Sequence, residues 1–193
     1  MKPLVSVITP TWQRHELLIE RCIPSVQAQD YSAIEHIVVS DGPDEELNQA
    51  DLGVRYFQLA CHPQLSYWGN AARLLGLEHA TGDFIAYLDD DNAFRPQHIG
   101  RLVADMEKHD RAGFTYSQMK FHHLNGDSFI VGSPPPRCGQ IDTSIILHRR
   151  EILEVATWEG GRPTVDWDLV ERWMVNGVVW SFVDEITVDY YKS

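Results

Sequence analysis

The chain has 193 residues, enough for one full domain and short for two. Hydrophobic residues make up 44% and charged residues 23%, the balance of a globular protein with no room for a large disordered portion. A formal net charge of −12 argues against DNA, RNA or anionic lipid as partners, because those surfaces need clustered Lys and Arg, whereas a phosphate bridged by a metal cation stays accessible.

No apolar stretch approaches the ~20 residues that cross a bilayer. Met1-Lys2-Pro3 leads directly into a short strand pattern, unlike a signal peptide, so a cytoplasmic protein without an integral membrane segment is expected. Cys22, Cys61 and Cys138 lie far apart and form no CxxC, which fits reduced thiols.

In chain order, Leu4-Val5-Ser6-Val7-Ile8-Thr9 reads as a buried strand stopped by Pro10. Leu17, Leu18, Cys22, Ile23 and Val26 follow helical spacing between Glu16 and Ala28, with a kink expected at Pro24. A second strand spans 34–39 and stops at Ser40-Asp41-Gly42-Pro43, and a third spans 54–59. The pattern from Trp68 to His79 is helical and ends before Gly82, and the run from Asp83 to Leu88 is a fourth strand. Ile99, Leu102, Val103 and Met106 then mark the clearest amphipathic helix.

The second half is less regular. Strands are expected over 113–119, at 129–131 after an Asn125-Gly126 hairpin turn, and over 144–148, followed by a short helix through Ile152, Leu153 and Ala156. Gly160-Gly161-Arg162-Pro163 reads as a loop before a helix over about 166–175, and two strands, 178–183 and 186–191, close the chain. The alternation implies an α/β fold with a mainly parallel central sheet flanked by helices and a smaller antiparallel part in the second half. We expect a single domain over 1–193.

Asp89-Asp90-Asp91, directly after the fourth strand, is the densest chemical feature. Three adjacent carboxylates repel one another unless a cation lies between them, and Mg²⁺ or Mn²⁺ is the natural partner. The competing reading is an acidic turn capping the next helix. Ligands on open α/β sheets bind beyond the carboxyl ends of the strands. Thr9 after the first strand, Asp41 after the second and the triplet after the fourth therefore converge on one rim if those strands are parallel.

These residues resemble a known family. Val5-Ser6-Val7-Ile8-Thr9-Pro10-Thr11-Trp12, Val38-Val39-Ser40-Asp41-Gly42, and Gly69-Asn70-Ala71-Ala72-Arg73 through Gly82-Asp83-Phe84-Ile85-Ala86-Tyr87-Leu88-Asp89-Asp90-Asp91 are similar, in order and spacing, to the family 2 glycosyltransferases with a GT-A fold. The resemblance implies a nucleotide-diphosphate sugar donor, a divalent metal (Mn²⁺ or Mg²⁺) and inversion at the anomeric carbon. It divides the chain into a nucleotide-sugar-binding half, about 1–110, and an acceptor-side half, about 111–193. It implies donor-binding roles for Thr9, Pro10, Asp41, Arg73, Asp89 and Asp90, with Arg14 as a further phosphate contact, and a metal-ligand role for Asp91, joined by Asp89 or His148. Arg14 and Arg73 also read as ordinary surface residues.

In that family an acid at the start of a late helix, typically in a Glu-Asp pair, is the base. Val165-Asp166-Trp167-Asp168-Leu169 stands at the matching place, with Asp166 as the candidate, Asp168 in reserve and Val165 where the first acid would be. Asp166 also reads as a helix N-cap. Trp158 and Trp167 are the candidates for an acceptor-side aromatic face. His122-His123 and Cys61-His62 lack zinc-site spacing and read as surface or turn residues.

The expected activity is metal-dependent, inverting transfer of a sugar to an acceptor hydroxyl on a small or soluble molecule. A non-catalytic nucleotide-sugar-binding module is the alternative. A sugar-phosphate nucleotidyltransferase fits less well, because Thr9-Pro10-Thr11-Trp12-Gln13-Arg14 lacks the glycine-rich loop that lets backbone approach phosphate.

Overall fold

The computed structural model describes residues 2–62, 69–158 and 165–192. Among these residues, nine strands, numbered in chain order with their ranges given below, form one sheet in the order β3-β2-β1-β4-β8-β6-β9-β5, with β7 paired to β6 outside that path. The first half supplies β1 (Val5–Thr11), β2 (Ile34–Ser40), β3 (Arg55–Gln58) and β4 (Phe84–Tyr87), all parallel to their neighbours. Val5, Val7, Ile8, Ile37, Val38, Val39, Ile85 and Ala86 are fully buried, so both faces of β1, β2 and β4 are covered, as central parallel strands require, while the edge strand β3 is partly exposed.

β1 runs through Pro10 instead of stopping there. Its pairing with β4 ends at Ile8, while its pairing with β2 continues to Thr11 opposite Ser40. Pro10 therefore sits where one side of the strand has become an edge, and its missing N–H costs no ladder bond. The first helical segment follows as α1 (His15–Leu17), a π-helical turn at Leu18–Cys22 and α2 (Ile23–Gln27). Pro24 lies at the start of α2, so the wider turn before it absorbs the proline that was expected to kink a continuous helix.

A short helix, α3 (Glu45–Gln49), lies between β2 and β3, and α4 (Asn70–His79) precedes β4. The start expected for α4 at Trp68 lies outside the described residues. A two-residue strand, β5 (Ala93–Phe94), follows the acidic triplet, and then comes α5 (His98–Lys108). On α5 the predicted face is realised in full, with Ile99, Leu102, Val103 and Met106 all buried.

In the second half, β6 (Phe114–His122) and β7 (Ser128–Val131) form the expected hairpin, with Gly126 at a φ of 89° in its turn. The next strand begins later than its apolar pattern suggested: Thr143–Ile145 is a 3₁₀ turn capped by Asp142, and β8 is Ile146–Arg149. A second 3₁₀ turn, Arg150–Glu154, precedes Trp158. The loop expected at 160–163 lies outside the described residues. After α6 (Val165–Val175), the two expected closing strands are one, β9 (Trp180–Tyr191), parallel to β6 with register shifts opposite Tyr116–Met119. β4–β8, β6–β8 and β5–β9 are antiparallel, which gives the mixed character expected of this half. Cys22, Cys61 and Cys138 are all free thiols. No described helix is long and apolar enough to cross a membrane.

Three histidines lie inside this framework. His36 and His98 are held down to about 3 and His148 to about 4, each chiefly because burial disfavours the charged ring. Below the unfolded value of about 6.5 the unfolded chain binds protons that the folded chain refuses, so the contribution is complete above that pH and is lost on acidification toward the folded values. On acidification from pH 7 to pH 5 these histidines lower the urea midpoint while the raised carboxyls of Asp90, Asp142 and Asp166 act in the opposite sense, so the histidine part is read as a difference between proteins. His98→Asn, which keeps a polar atom near Thr187 Oγ1 (2.7 Å from His98 Nδ1), should lose less midpoint over that interval than the wild type; identical slopes would refute the assignment.

Candidate active site

The carboxyl ends of β1, β2 and β4 open on a cleft of about 550 Å³. The backbone builds its acidic wall: Leu88 N–H donates to the Ile8 carbonyl, and Asn92 N–H closes a turn on the Asp89 carbonyl. Each acid in that turn has its own partner. Arg73 Nη2 donates to Asp89 Oδ1 at 2.6 Å. The Thr11 hydroxyl donates to Asp90 Oδ2 at 2.7 Å. Arg14 Nη1 spans Asp91 Oδ2 at 2.6 Å and Asp90 Oδ1 at 3.3 Å, and Arg21 Nη1 holds the Asp91 carbonyl at 2.6 Å. Asp90, only 5% exposed, is pushed up to about 6 by burial, with Thr11 and Arg14 opposing and the neighbouring acids adding to the rise.

Asp41 and Trp12 form the far end. Asp41 is buried, its N–H donates to the Thr11 carbonyl, and its own carbonyl accepts from His62 Nδ1 at 2.6 Å. The Trp12 and His62 rings stack at 4.3 Å between centroids and 10° between planes. Gly42 lies beneath them, where a Cβ would come within 2.5 Å of Trp12 Cζ3, so the indole packs directly on backbone. Pro10 shapes the wall in the same way: Gly69, at a φ of 86° before α4, would place a Cβ 2.7 Å from the proline ring.

The expectation for Thr9 is corrected. Its hydroxyl lies 2.9 Å from His36 Nε2, fully buried. Alternate residues of a strand share a face, so Thr11, one pleat nearer the rim, occupies the cleft in its stead. His148 is also corrected. It sits on β8 opposite Ile85, below the rim, with Nε2 3.0 Å from the Tyr87 hydroxyl and Nδ1 bonded to the Arg149 carbonyl, and it does not approach the acidic turn as a ligand.

Behind Asp89, the side chains are organised by Arg73. Only 3% exposed, it lies 5.2 Å over the Trp158 ring and is charge-coupled to Asp89, Asp166 and Asp142. Asp166, in the first turn of α6, accepts a hydrogen bond from the Thr143 N–H, and Asp142 accepts from the Ser144 N–H at 2.8 Å. Burial raises both carboxyls above the ordinary range; Asp166 raises Asp142 further, Asp89 adds to both, and Arg73 opposes the rise at Asp166. Asp142 was not among the sequence candidates, because a single acid between Ile141 and Thr143 carries no signal before the 3₁₀ turn brings it beside α6. Tyr190, near the end of β9, lines the cleft and feels the charge of Asp142, Asp89, Asp91 and Asp166.

The reserve base and the aromatic candidates fall elsewhere. Asp168 is paired with Arg172 Nε at 3.1 Å, and Arg172 also donates to the Thr157 carbonyl. Trp158 is 2% exposed and meets Tyr87 edge-on at 5.2 Å, so it is a floor under Arg73 and presents no open face. Trp167 is half-buried and packs against the core.

Among the described residues, no three His, Cys, Asp or Glu side chains gather as a self-sufficient metal cage. The donor set at the acidic turn is carboxylate oxygen alone, which suits Mg²⁺ or Mn²⁺ and not zinc. Those ions commonly take one or two protein carboxylates and complete their shell with substrate phosphate and water. Asp91, with Asp89 beside it in the cleft, fits that mode.

The sequence model described as glycosyl transferase family 2 matches residues 6–128, more than half of the chain. The chain belongs to this family. It is 34% identical over 97 residues to a GalNAc(5)-diNAcBac-PP-undecaprenol beta-1,3-glucosyltransferase of Campylobacter jejuni, covering 47% of this chain and 30% of the relative. It is 36% identical over 118 residues to a glucosyl-dolichyl phosphate glucuronosyltransferase of Haloferax volcanii, covering 58% and 36%. The crystal structure of Staphylococcus aureus TarS 1-349 in complex with UDP-GlcNAc superposes with a TM-score of 0.75 at 18% identity, covering 98% of this chain and 59% of that one. The match establishes the GT-A fold. The chain thus spans about a third of each of these two curated relatives.

Replacing Arg73 tests the charge balance directly. Arg73→Met leaves Asp89, Asp142 and Asp166 without their shared cation and is expected to cost about 3 kcal/mol at pH 7, the scale of a broken buried pair. The loss should shrink at pH 5, where the raised carboxyls accept protons. Equal losses at the two pH values in urea denaturation would show that packing on Trp158, and not charge, is what Arg73 supplies.

Proposed function

We propose that the cleft binds a nucleotide-diphosphate sugar and that Asp166 removes the proton from an acceptor hydroxyl as its oxygen attacks the anomeric carbon, in a single inverting displacement. The observation that carries this reading is the meeting of Asp166 and Asp89 around Arg73, which brings the base candidate to the donor acids. Membership of glycosyl transferase family 2 supports the donor class, and so does the fold shared with TarS, crystallised with UDP-GlcNAc.

The nucleoside fits the far end, with its base against Trp12 and in hydrogen-bonding reach of Asp41. The ribose and diphosphate then pass along Asp89 and Asp90 toward Arg14. Asp91, with Asp89 second, would hold Mn²⁺ or Mg²⁺, which when bound offsets charge on the departing diphosphate. The bond from the acceptor oxygen to the anomeric carbon forms as the bond to diphosphate breaks, and the acceptor proton passes to Asp166. A carboxyl raised by burial and by Asp89 is a stronger base than an exposed one, which suits the task. Asp142 supplies a second carboxylate beside Asp166, so an acid pair exists even though Val165 replaces the first acid in sequence. The acceptor class proposed is a small or soluble molecule bearing a free hydroxyl.

The test is to incubate the protein with Mn²⁺ and a panel of nucleotide sugars and to follow nucleotide diphosphate release. Asp166→Asn should retain donor binding and lower turnover by roughly 10²–10⁴-fold, the usual size of a general-base contribution. Near-normal turnover would move the role to Asp142. Donor binding without transfer or hydrolysis in the wild type, across a broad acceptor set, would instead identify a non-catalytic binding module.

Trp12→Ala isolates the nucleoside end. Loss of base stacking is worth about 1–3 kcal/mol, so nucleotide affinity measured by calorimetry should fall by roughly 5- to 150-fold. Unchanged affinity would place the base elsewhere.

A further inference from the structure

We propose that Arg14 and the divalent cation are alternative counter-ions for Asp90 and Asp91, and that the cation's arrival releases the Arg14 guanidinium to the donor's diphosphate. The proposal rests on the donor-site reading above and adds an order of events to it.

The acids are fixed and the arginine is not. The side chains of Asp90 and Asp91 are 6% and 10% exposed, whereas that of Arg14 is 45% exposed. Thr11 holds Asp90 by its carboxylate, Arg21 holds Asp91 by its carbonyl, and Asn92, next in the chain, accepts from the Tyr191 N–H at 3.0 Å. Arg14 is tethered only at its backbone, where its carbonyl accepts from Leu18 N–H at 3.0 Å. Its flexible side chain reaches the acids from the mouth of the cleft, and an ion pair open to water on its arginine side exchanges more readily than one buried on both sides.

Charge balance supplies the reason for exchange. Asp41, Asp89, Asp90 and Asp91 line the cleft, and the described lining cations are Arg14 and Lys192. A diphosphate entering while Arg14 is committed to the acids meets surplus negative charge. A divalent ion on Asp91 takes over that commitment, and the freed guanidinium offers phosphate a planar fork of donors. Cation and diphosphate should then bind synergistically, each improving the other's affinity by the same factor. The cation alone should bind weakly, because it must displace Arg14 without compensation.

The experiment measures Mn²⁺ binding to the 193-residue chain by the EPR signal of free Mn²⁺, first alone and then with saturating UDP, GDP, ADP or dTDP. Arg14→Gln should bind Mn²⁺ alone more tightly than the wild type, by about 5- to 150-fold if the competition is of ordinary coupling size. Arg14→Lys keeps the charge and should stay near the wild type, which separates charge from packing. Nucleotide should strengthen Mn²⁺ binding in the wild type and do so less in Arg14→Gln. If a nucleotide binds with Mn²⁺ and Arg14→Gln holds Mn²⁺ alone no more tightly than the wild type, the exchange is overturned and the donor site stands. If no nucleotide binds any of the three proteins with Mn²⁺ present, the donor-site reading fails and the exchange fails with it.

Discussion

Crowding of carboxylates at one rim of the sheet is the constraint on which the rest of the structure depends. Asp89, Asp90 and Asp91 occupy three consecutive positions, and Asp142 and Asp166 arrive beside them from the second half of the chain. Such a group is tolerable only where cations are built in, and the cations come from two separate helical segments. Arg14 caps α1, Arg21 lies on the π-helical turn that follows, and Arg73 lies in the first turn of α4. Each is assigned a different part of the problem: the outer pair of acids, the backbone behind Asp91, and the inner acid with the base candidate.

The geometry of the first helical segment follows from this assignment. Arg14 and Arg21 are seven residues apart and both act on Asp91, one at the carboxylate and one at the carbonyl. A π-helical turn lies between Arg14 and α2 and includes Arg21. The same wider turn accommodates Pro24, so one irregularity serves both needs. From the opposite side, β9 secures the turn: Tyr191 N–H donates to Asn92, Arg95 pairs with Asp189 at 2.9 Å, and the Arg21 guanidinium lies 4.1 Å over the Tyr191 ring. The acidic turn is therefore clamped between the first helical segment and the last described strand.

How much of this could be read in the sequence depends on the range of each interaction. The parallel strands, the helix bearing Ile99, Leu102, Val103 and Met106, and the convergence of Asp41 with the acidic triplet follow from local periodicity and the strand-end rule, and all are present. Thr9 lies one pleat below the cleft because a strand's exit point, and not its composition, decides which of two same-face residues reaches the rim. β9 was split in two because its middle carries Asp184 and Glu185, whereas the ladder with β6 accommodates them through register shifts. Asp142 was invisible because it reaches the rim through contacts with segments tens of residues away. His148 looked like a ligand by residue type alone, and only the β4–β8 register shows that it belongs to the core.

Arg73 gives the two ends of the site a common electrostatic state. It pairs with Asp89 at the acidic turn and feels the charge of Asp166 and Asp142 from the second half of the chain, above an indole that keeps water from its lower face. While Asp166 is ionised, the guanidinium is shared between the Asp89 and Asp166 carboxylates. Once Asp166 accepts a proton, more of that charge is available to Asp89 and to whatever anion lies beside it. In the proposed reaction, proton uptake at Asp166 and growth of negative charge on a departing diphosphate would thus favour each other through one buried cation, with no movement of backbone required. That arrangement also explains why the arginine is buried: a solvent-exposed one would be screened at each end and could not carry the effect of one on the other.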